Sequence, residues 1–127
     1  MSMKRIGFVG YDGVTALDLF GPLEVFDTAN THSPDAQRFY EPVVLSPTGA
    51  PFMLEQRVLV TPHAALADAL PLDTVILPGG SGARDSNKTQ MIATWLRANA
   101  NKFRRTASVC IGIYILGETG LLDGRRA

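Results

Sequence analysis

Short apolar runs constrain this chain more than any other feature. Ile6 to Val9 and Thr74 to Leu77 are two of them, and Val43, Val44 and Leu45 form the centre of a third, Tyr40 to Ser46. None shows the period-two alternation of a half-wet strand, so each reads as a strand covered on both faces. Ala107 to Cys110 reads as a fourth. Between them lie segments of helical spacing: Leu19, Leu23 and Phe26; then Met91, Ile92, Trp95 and Leu96; then Ile113 to Glu118. Strands alternating with helices predict a doubly wound α/β domain, its sheet largely parallel with helices on both faces. Ligands of such sheets collect at the carboxyl ends of the strands. Here those ends carry Gly10-Tyr11-Asp12, Pro78-Gly79-Gly80 and Cys110, so the three segments are expected to converge.

Local signals set the boundaries. Thr15 is placed to cap a helical turn, with Asp18 three positions later satisfying the first amides. Gly21-Pro22 is expected to interrupt that turn, with Pro22 opening a fresh helix where its missing N–H costs nothing. Asn30 to Pro34 closes the helix. Met53 to Leu54 and Val58 to Val60 read as a small hairpin, or as short strands off the main sheet. His63 to Leu70 reads as a short Ala-rich helix and Asn87 to Ala100 as a longer one. Gly120 breaks the last helix.

The totals exclude several classes. A chain of 127 residues is one domain's worth. Twelve basic and twelve acidic side chains leave no basic footprint for nucleic acid. One cysteine permits no internal disulfide, which makes a reducing cytoplasm the expected location. The start is too short in apolar residues for a signal peptide, and no apolar stretch approaches the ~20 residues of a membrane helix.

Ser108-Val109-Cys110-Ile111-Gly112 follows a strand and opens a helix. A tight turn at that point brings the residues flanking its apex together, so they must be small, and Ser108 and Gly112 are. Cys110 would sit at the apex in strained backbone, its sulfur in the cleft. The free N–H groups of the following helix favour thiolate over thiol. The N–H of Ile111 is a candidate oxyanion donor, and Gly80 a second. The bland alternative is a buried cysteine acting as a small hydrophobe.

Four segments together resemble the ThiJ/PfpI family: Leu17 to Phe26, Leu77-Pro78-Gly79-Gly80, Ser108-Val109-Cys110-x-Gly112, and Gly120 to Ala127. The resemblance covers essentially the whole chain. It is strongest to a branch holding the amino-terminal domains of AraC-type transcriptional regulators and isonitrile hydratase. It implies a flavodoxin-like sandwich, frequently dimeric, with an acidic residue beside the cysteine; Asp18 matches that position. Ile111 departs from the pattern, since many family hydrolases carry His there and the hydratase a small hydroxyl residue. The family pattern also continues past Ala127, so residues 1–127 are expected to form a domain incomplete at its C-terminus.

His32, in a polar loop, and His63, after Pro62, are the other possible bases; neither is expected at the cysteine. No cofactor and no metal site is expected. The glycines after Leu77 lack the ending of a phosphate loop, while Arg84 beside them, with Gly79, is a candidate for binding an anionic ligand. The leading expectation is a ligand-sensing or dimerising domain of an AraC-type regulator. It would be a homodimer that takes a small molecule and reaches DNA only through a helix-turn-helix not present in this chain. The alternative is an enzyme of the isonitrile hydratase or amidase type. In it Cys110 is the nucleophile, Asp18 the acid/base, and Gly80 and Ile111 the oxyanion donors. A redox-responsive cysteine is a third reading.

Overall fold

In chain order the elements are β1 (Lys4–Val9), α1 (Ala16–Thr31), β2 (Tyr40–Ser46), β3 (Phe52–Met53), β4 (Leu59–Val60), β5 (Ala64–Ala65), β6 (Thr74–Leu77), α2 (Ser86–Asn99), β7 (Arg105–Ser108) and α3 (Ile113–Thr119). They are seen in a computed structural model that describes residues 3–126. Met1, Ser2 and Ala127, at the ends of the segment read as one domain, lie outside the described residues.

Five strands form one parallel sheet in the order β5-β2-β1-β6-β7. β1 is central, with Lys4 to Val9 in register with Tyr40 to Leu45 of β2, and Ile6 to Phe8 with Thr74 to Ile76 of β6. β3 and β4 make a separate antiparallel hairpin, one of the two arrangements expected for that stretch. From β1 the chain crosses through α1 to β2 on one side. From β6 it crosses through α2 to β7 on the other. Right-handed crossovers running in opposite directions put α1 and α2 on opposite faces of the sheet. The direction reverses between β1 and β6, and there the carboxyl ends of neighbouring strands part to leave a crevice.

Apolar burial holds these layers together. Phe8, Val9, Leu19, Val75, Leu77, Ile92, Leu96 and Ile115 are all fully buried, each contributing about 1.5–3 kcal/mol relative to exposure. Phe26 of α1 packs edge-on to Phe8 of β1 and Tyr40 of β2, with ring centroids 6.2 and 5.0 Å away. Among the described residues no helix is long and apolar enough to cross a membrane.

Four expectations need correction. First, α1 runs unbroken through Pro22. Gly21 carries no Cβ to meet the proline ring, which relieves part of the clash, and the sheet-facing side chains hold the helix across the missing N–H. Second, Thr15 occupies the cap position but makes no capping bond. Its hydroxyl donates to Glu55 Oε2 at 2.8 Å, while Gln56 Oε1 accepts from the Ala16 N–H at 3.0 Å. Third, His63 to Leu70 is not a helix. It gives β5 and a 3-10 turn over Leu66–Asp68. The Val44 N–H donates to His63 Nδ1 and the His63 N–H to the Val44 carbonyl, so pairing with β2 overrides alanine's helical preference. Fourth, β7 begins and ends two residues early. The Asp73 carbonyl accepts from the N–H groups of both Arg104 and Arg105, which starts the ladder there. Cys110 therefore lies beyond the strand, in a 3-10 turn over Cys110–Gly112. α2 and α3 match their expected spans to within one residue.

Candidate functional site

The chemical segments meet in the crevice between β1 and β6. Leaving β1, the chain buries Tyr11, whose hydroxyl donates to the Pro78 carbonyl at 2.5 Å. Burial pushes the Tyr11 phenol far above its ordinary range, and the charges of Asp18, Glu55 and Cys110 push it further. That phenol is thus a neutral, fixed donor that holds the end of β6 against the end of β1. The next residues are clamped from two sides. Val14 bridges both Leu54 and Gly80, the Thr15 N–H donates to the Gly79 carbonyl at 2.9 Å, and the Glu55 N–H donates to the Val14 carbonyl at 2.8 Å. α1 starts immediately afterwards, which fixes Asp18 in its first turn.

Gly79 lies where three groups converge. A Cβ built on it would fall 2.8 Å from Asp18 Oδ2, 2.9 Å from the Ile111 nitrogen and 3.1 Å from the Gly112 nitrogen. Asp18 and the turn after Cys110 therefore face each other across a residue that has room only for hydrogen. Gly80 has φ +144°, a conformation that side chains rarely adopt, and its α-carbon packs on the backbone of Gly13 to Thr15. No acceptor among the described residues pairs with the N–H of Gly80 or Ile111, whereas the Gly112 N–H is taken by the Val109 carbonyl at 3.0 Å.

Cys110 has φ +52°, a strained value for a residue with a side chain. Its neighbour Gly112 sits hard against the Leu77 carbonyl, so the small residue read from the sequence is sterically required. Cys110 is exposed, not the buried small hydrophobe of the bland alternative. Ile111 is half-buried against the core.

The remaining candidates lie elsewhere. The Arg84 guanidinium stacks over the Tyr114 ring, 5.1 Å from its centroid, in a surface groove with Ile113 and Glu118 that lies one turn beyond Cys110. His63 is engaged at the β2–β5 pair, and the His32 ring contacts the Thr28 carbonyl at the end of α1. Neither histidine is at the cysteine. Sequence reasoning placed Tyr11 at the converging strand ends but gave it no role, and it missed Glu55. Tyr11 carried a usable signal, the first residue after a buried strand and its glycine. Glu55 carried none, because only the folded hairpin brings it to Thr15.

Comparison with known proteins agrees with this architecture. The DJ-1/PfpI family model matches residues 4–127. Isonitrile hydratase of Pseudomonas putida is 32% identical over 97% of this chain, which spans 50% of that enzyme. The HTH-type transcriptional regulator GbdR of Pseudomonas aeruginosa is 34% identical over 95% of this chain, which spans 32% of that regulator. The crystal structure of an AraC family transcriptional regulator from Pseudomonas putida superposes with a TM-score of 0.77 at 20% identity. That match covers 96% of this chain and 64% of the other. Among the described residues no group of three or more His, Cys, Asp or Glu side chains is placed to hold a metal ion.

Proposed function

Because this chain belongs to the DJ-1/PfpI family, we propose that it serves as the ligand-receiving domain of an AraC-type transcriptional regulator. The observation that carries the reading is Ile111, an apolar residue half-buried against the core at the position directly after Cys110, where many hydrolases of the family carry an imidazole. A cysteine followed by an apolar side chain instead of an imidazole suits holding a ligand better than turning one over. The likeness to GbdR over 95% of this chain supports the same reading. In it a small polar molecule sits against exposed Cys110 and Asp18. The amides of Gly80 and Ile111 are its donors and Gly79 gives it close access, while an anionic group long enough to reach the neighbouring groove would meet Arg84 beside Tyr114. The domain pairs as a homodimer in the cytoplasm, and DNA is reached through a helix-turn-helix outside this chain.

The experiment is a thermal-shift screen of small polar metabolites, with each hit tested for slowing alkylation of Cys110 by iodoacetamide. Ligands of the elbow raise the Tm and protect the thiol together. Hits that raise the Tm yet leave alkylation unchanged in every case would place the ligand elsewhere and contradict the reading.

A second reading rests on the Asp18 carboxylate facing the turn after Cys110 across Gly79, together with the likeness to isonitrile hydratase. In it the sulfur adds to the isonitrile carbon while Asp18 delivers a proton to that carbon. Water then adds to the resulting thioimidate, the N-substituted formamide leaves, and the thiol's proton returns to Asp18. Cys110 is the nucleophile, Asp18 the acid/base, and the Gly80 and Ile111 amides steady the developing negative charge.

A further inference from the structure

The stretch that joins β1 to α1 is held along its length by the β3–β4 hairpin. The Met53 N–H donates to Asp12 Oδ1 at 2.9 Å, and the Gly13 N–H donates to the Met53 carbonyl at 2.8 Å. Val14 bridges Leu54, and its carbonyl accepts from the Glu55 N–H at 2.8 Å. The last two contacts come from hairpin side chains. Glu55 Oε2 accepts from the Thr15 hydroxyl at 2.8 Å, and Gln56 Oε1 accepts from the Ala16 N–H at 3.0 Å. Contact thus advances stepwise along both segments, from Asp12 and Met53 to Ala16 and Gln56.

The turn that presents these two side chains is fixed. The Arg57 N–H donates to the Leu54 carbonyl at 2.8 Å and the Leu54 N–H to the Val58 carbonyl at 2.9 Å. That closes a tight turn with Glu55 and Gln56 at its two central positions. Arg57 completes it at φ +67°, a left-handed value that favours glycine. Phe52 and Leu54 are buried and anchor the hairpin, the Phe52 ring lying where only a glycine, Gly10, leaves room for it. Glu55 and Gln56 are themselves exposed, so their contacts with α1 stand on an anchored platform rather than on their own burial.

What the platform holds is the first turn of α1. A helix leaves its first N–H groups without intrahelical partners. Thr15, at the cap position, supplies none, because its hydroxyl is turned to Glu55. Gln56 caps the Ala16 N–H from outside the helix instead. Asp18 is the third residue of α1. Among the described residues its carboxylate accepts no hydrogen bond of its own, so the turn that carries it sets its place. We propose that Glu55 and Gln56 are positioning residues of the elbow: by pinning Thr15 and Ala16 they hold Asp18 opposite the turn after Cys110, across Gly79. The inference rests on the elbow as the functional site, and it holds whether the elbow keeps a ligand or transforms one.

The test is the rate of Cys110 alkylation by iodoacetamide from pH 6 to pH 9, with no ligand present, so its outcome is separate from that of any ligand screen. Asp18→Asn sets the reference and should change the rate about tenfold at neutral pH, the scale on which a neighbouring carboxylate alters a thiol's ionisation. Gln56→Ala removes the acceptor of the Ala16 N–H, and Thr15→Val removes the donor to Glu55; neither alters charge. Each is expected to move the rate about threefold toward that of Asp18→Asn, the scale of one lost helix cap. Neither should add anything in the Asp18→Asn background, where no carboxylate is left to position. A wild-type profile in either variant, whatever its Tm, would make the contacts structural only and overturn the proposal. So would a shift of equal size in the Asp18→Asn background, or an Asp18→Asn profile identical to the wild type, since Asp18 would then exert nothing on Cys110.

Discussion

At Gly79 a single hydrogen decides whether Asp18 and the turn after Cys110 can face each other. Gly79→Ala would put a methyl group within 3 Å of both Asp18 Oδ2 and the Ile111 nitrogen. We expect it to cost about 1–3 kcal/mol, the usual range for overpacking a tight site, measured as a lower urea midpoint at unchanged m-value. Tyr11 has a matching prediction with a pH signature. Tyr11→Phe leaves the buried Pro78 carbonyl without its donor and should cost about 1–3 kcal/mol at neutral pH. Burial raises the Tyr11 phenol above its ordinary 10.0. The folded state therefore holds that proton more tightly than the unfolded chain does. Its contribution is full below pH 10 and is lost as pH climbs beyond it. Urea melts from pH 8 to pH 11 should show this extra alkaline loss in the wild type and not in Tyr11→Phe. The elbow was legible because strain and close packing leave local marks, a cysteine between small residues and a Gly-Gly after a strand. Glu55 left no such mark, since its place depends on a hairpin forty residues along the chain from Thr15.

At the scale of elements, Pro22 is the clearest case of tertiary structure overriding a local rule. α1 keeps its course because Leu19 is buried and Leu23 and Phe26 pack against the core, yet the helix carries a proline in its interior. Pro22→Ala restores the N–H that the Asp18 carbonyl lacks. It should therefore raise stability by about 1 kcal/mol or more, part of proline's ~3 kcal/mol penalty being offset by the freer unfolded chain. Thermal melts of the two proteins check this, and an unchanged or lower Tm for Pro22→Ala would mean that the ring's own packing outweighs the lost bond. The interior strands β1, β2 and β6 were readable because burial on both faces writes itself as unbroken apolar sequence. The outer strands were less so: β7 was read two residues late and β5 as part of a helix. β7 includes Arg105 and Thr106, and β5 is two alanines held by the exchange between Val44 and His63, so their strand character comes from a neighbour rather than from composition.

On the scale of the whole molecule, the fold follows from one reversal. Crossovers leave in opposite directions on the two sides of the β1–β6 junction, and that opens the crevice into which Tyr11, Gly79, Gly80 and the turn at Cys110 are drawn. The order of the segments therefore revealed the site's location before any contact was known. Its chemistry was less legible, because holding a ligand and transforming one use the same cysteine and differ in what stands beside it. Isonitrile is the substrate that separates the two, and one NMR sample of this chain with cyclohexyl isonitrile reads both outcomes. The account predicts that formamide stays at the level of a protein-free blank, with Cys110→Ala indistinguishable from the wild type. Formamide that accumulates with the wild type and stops with Cys110→Ala would contradict it and make the elbow an enzyme's active site.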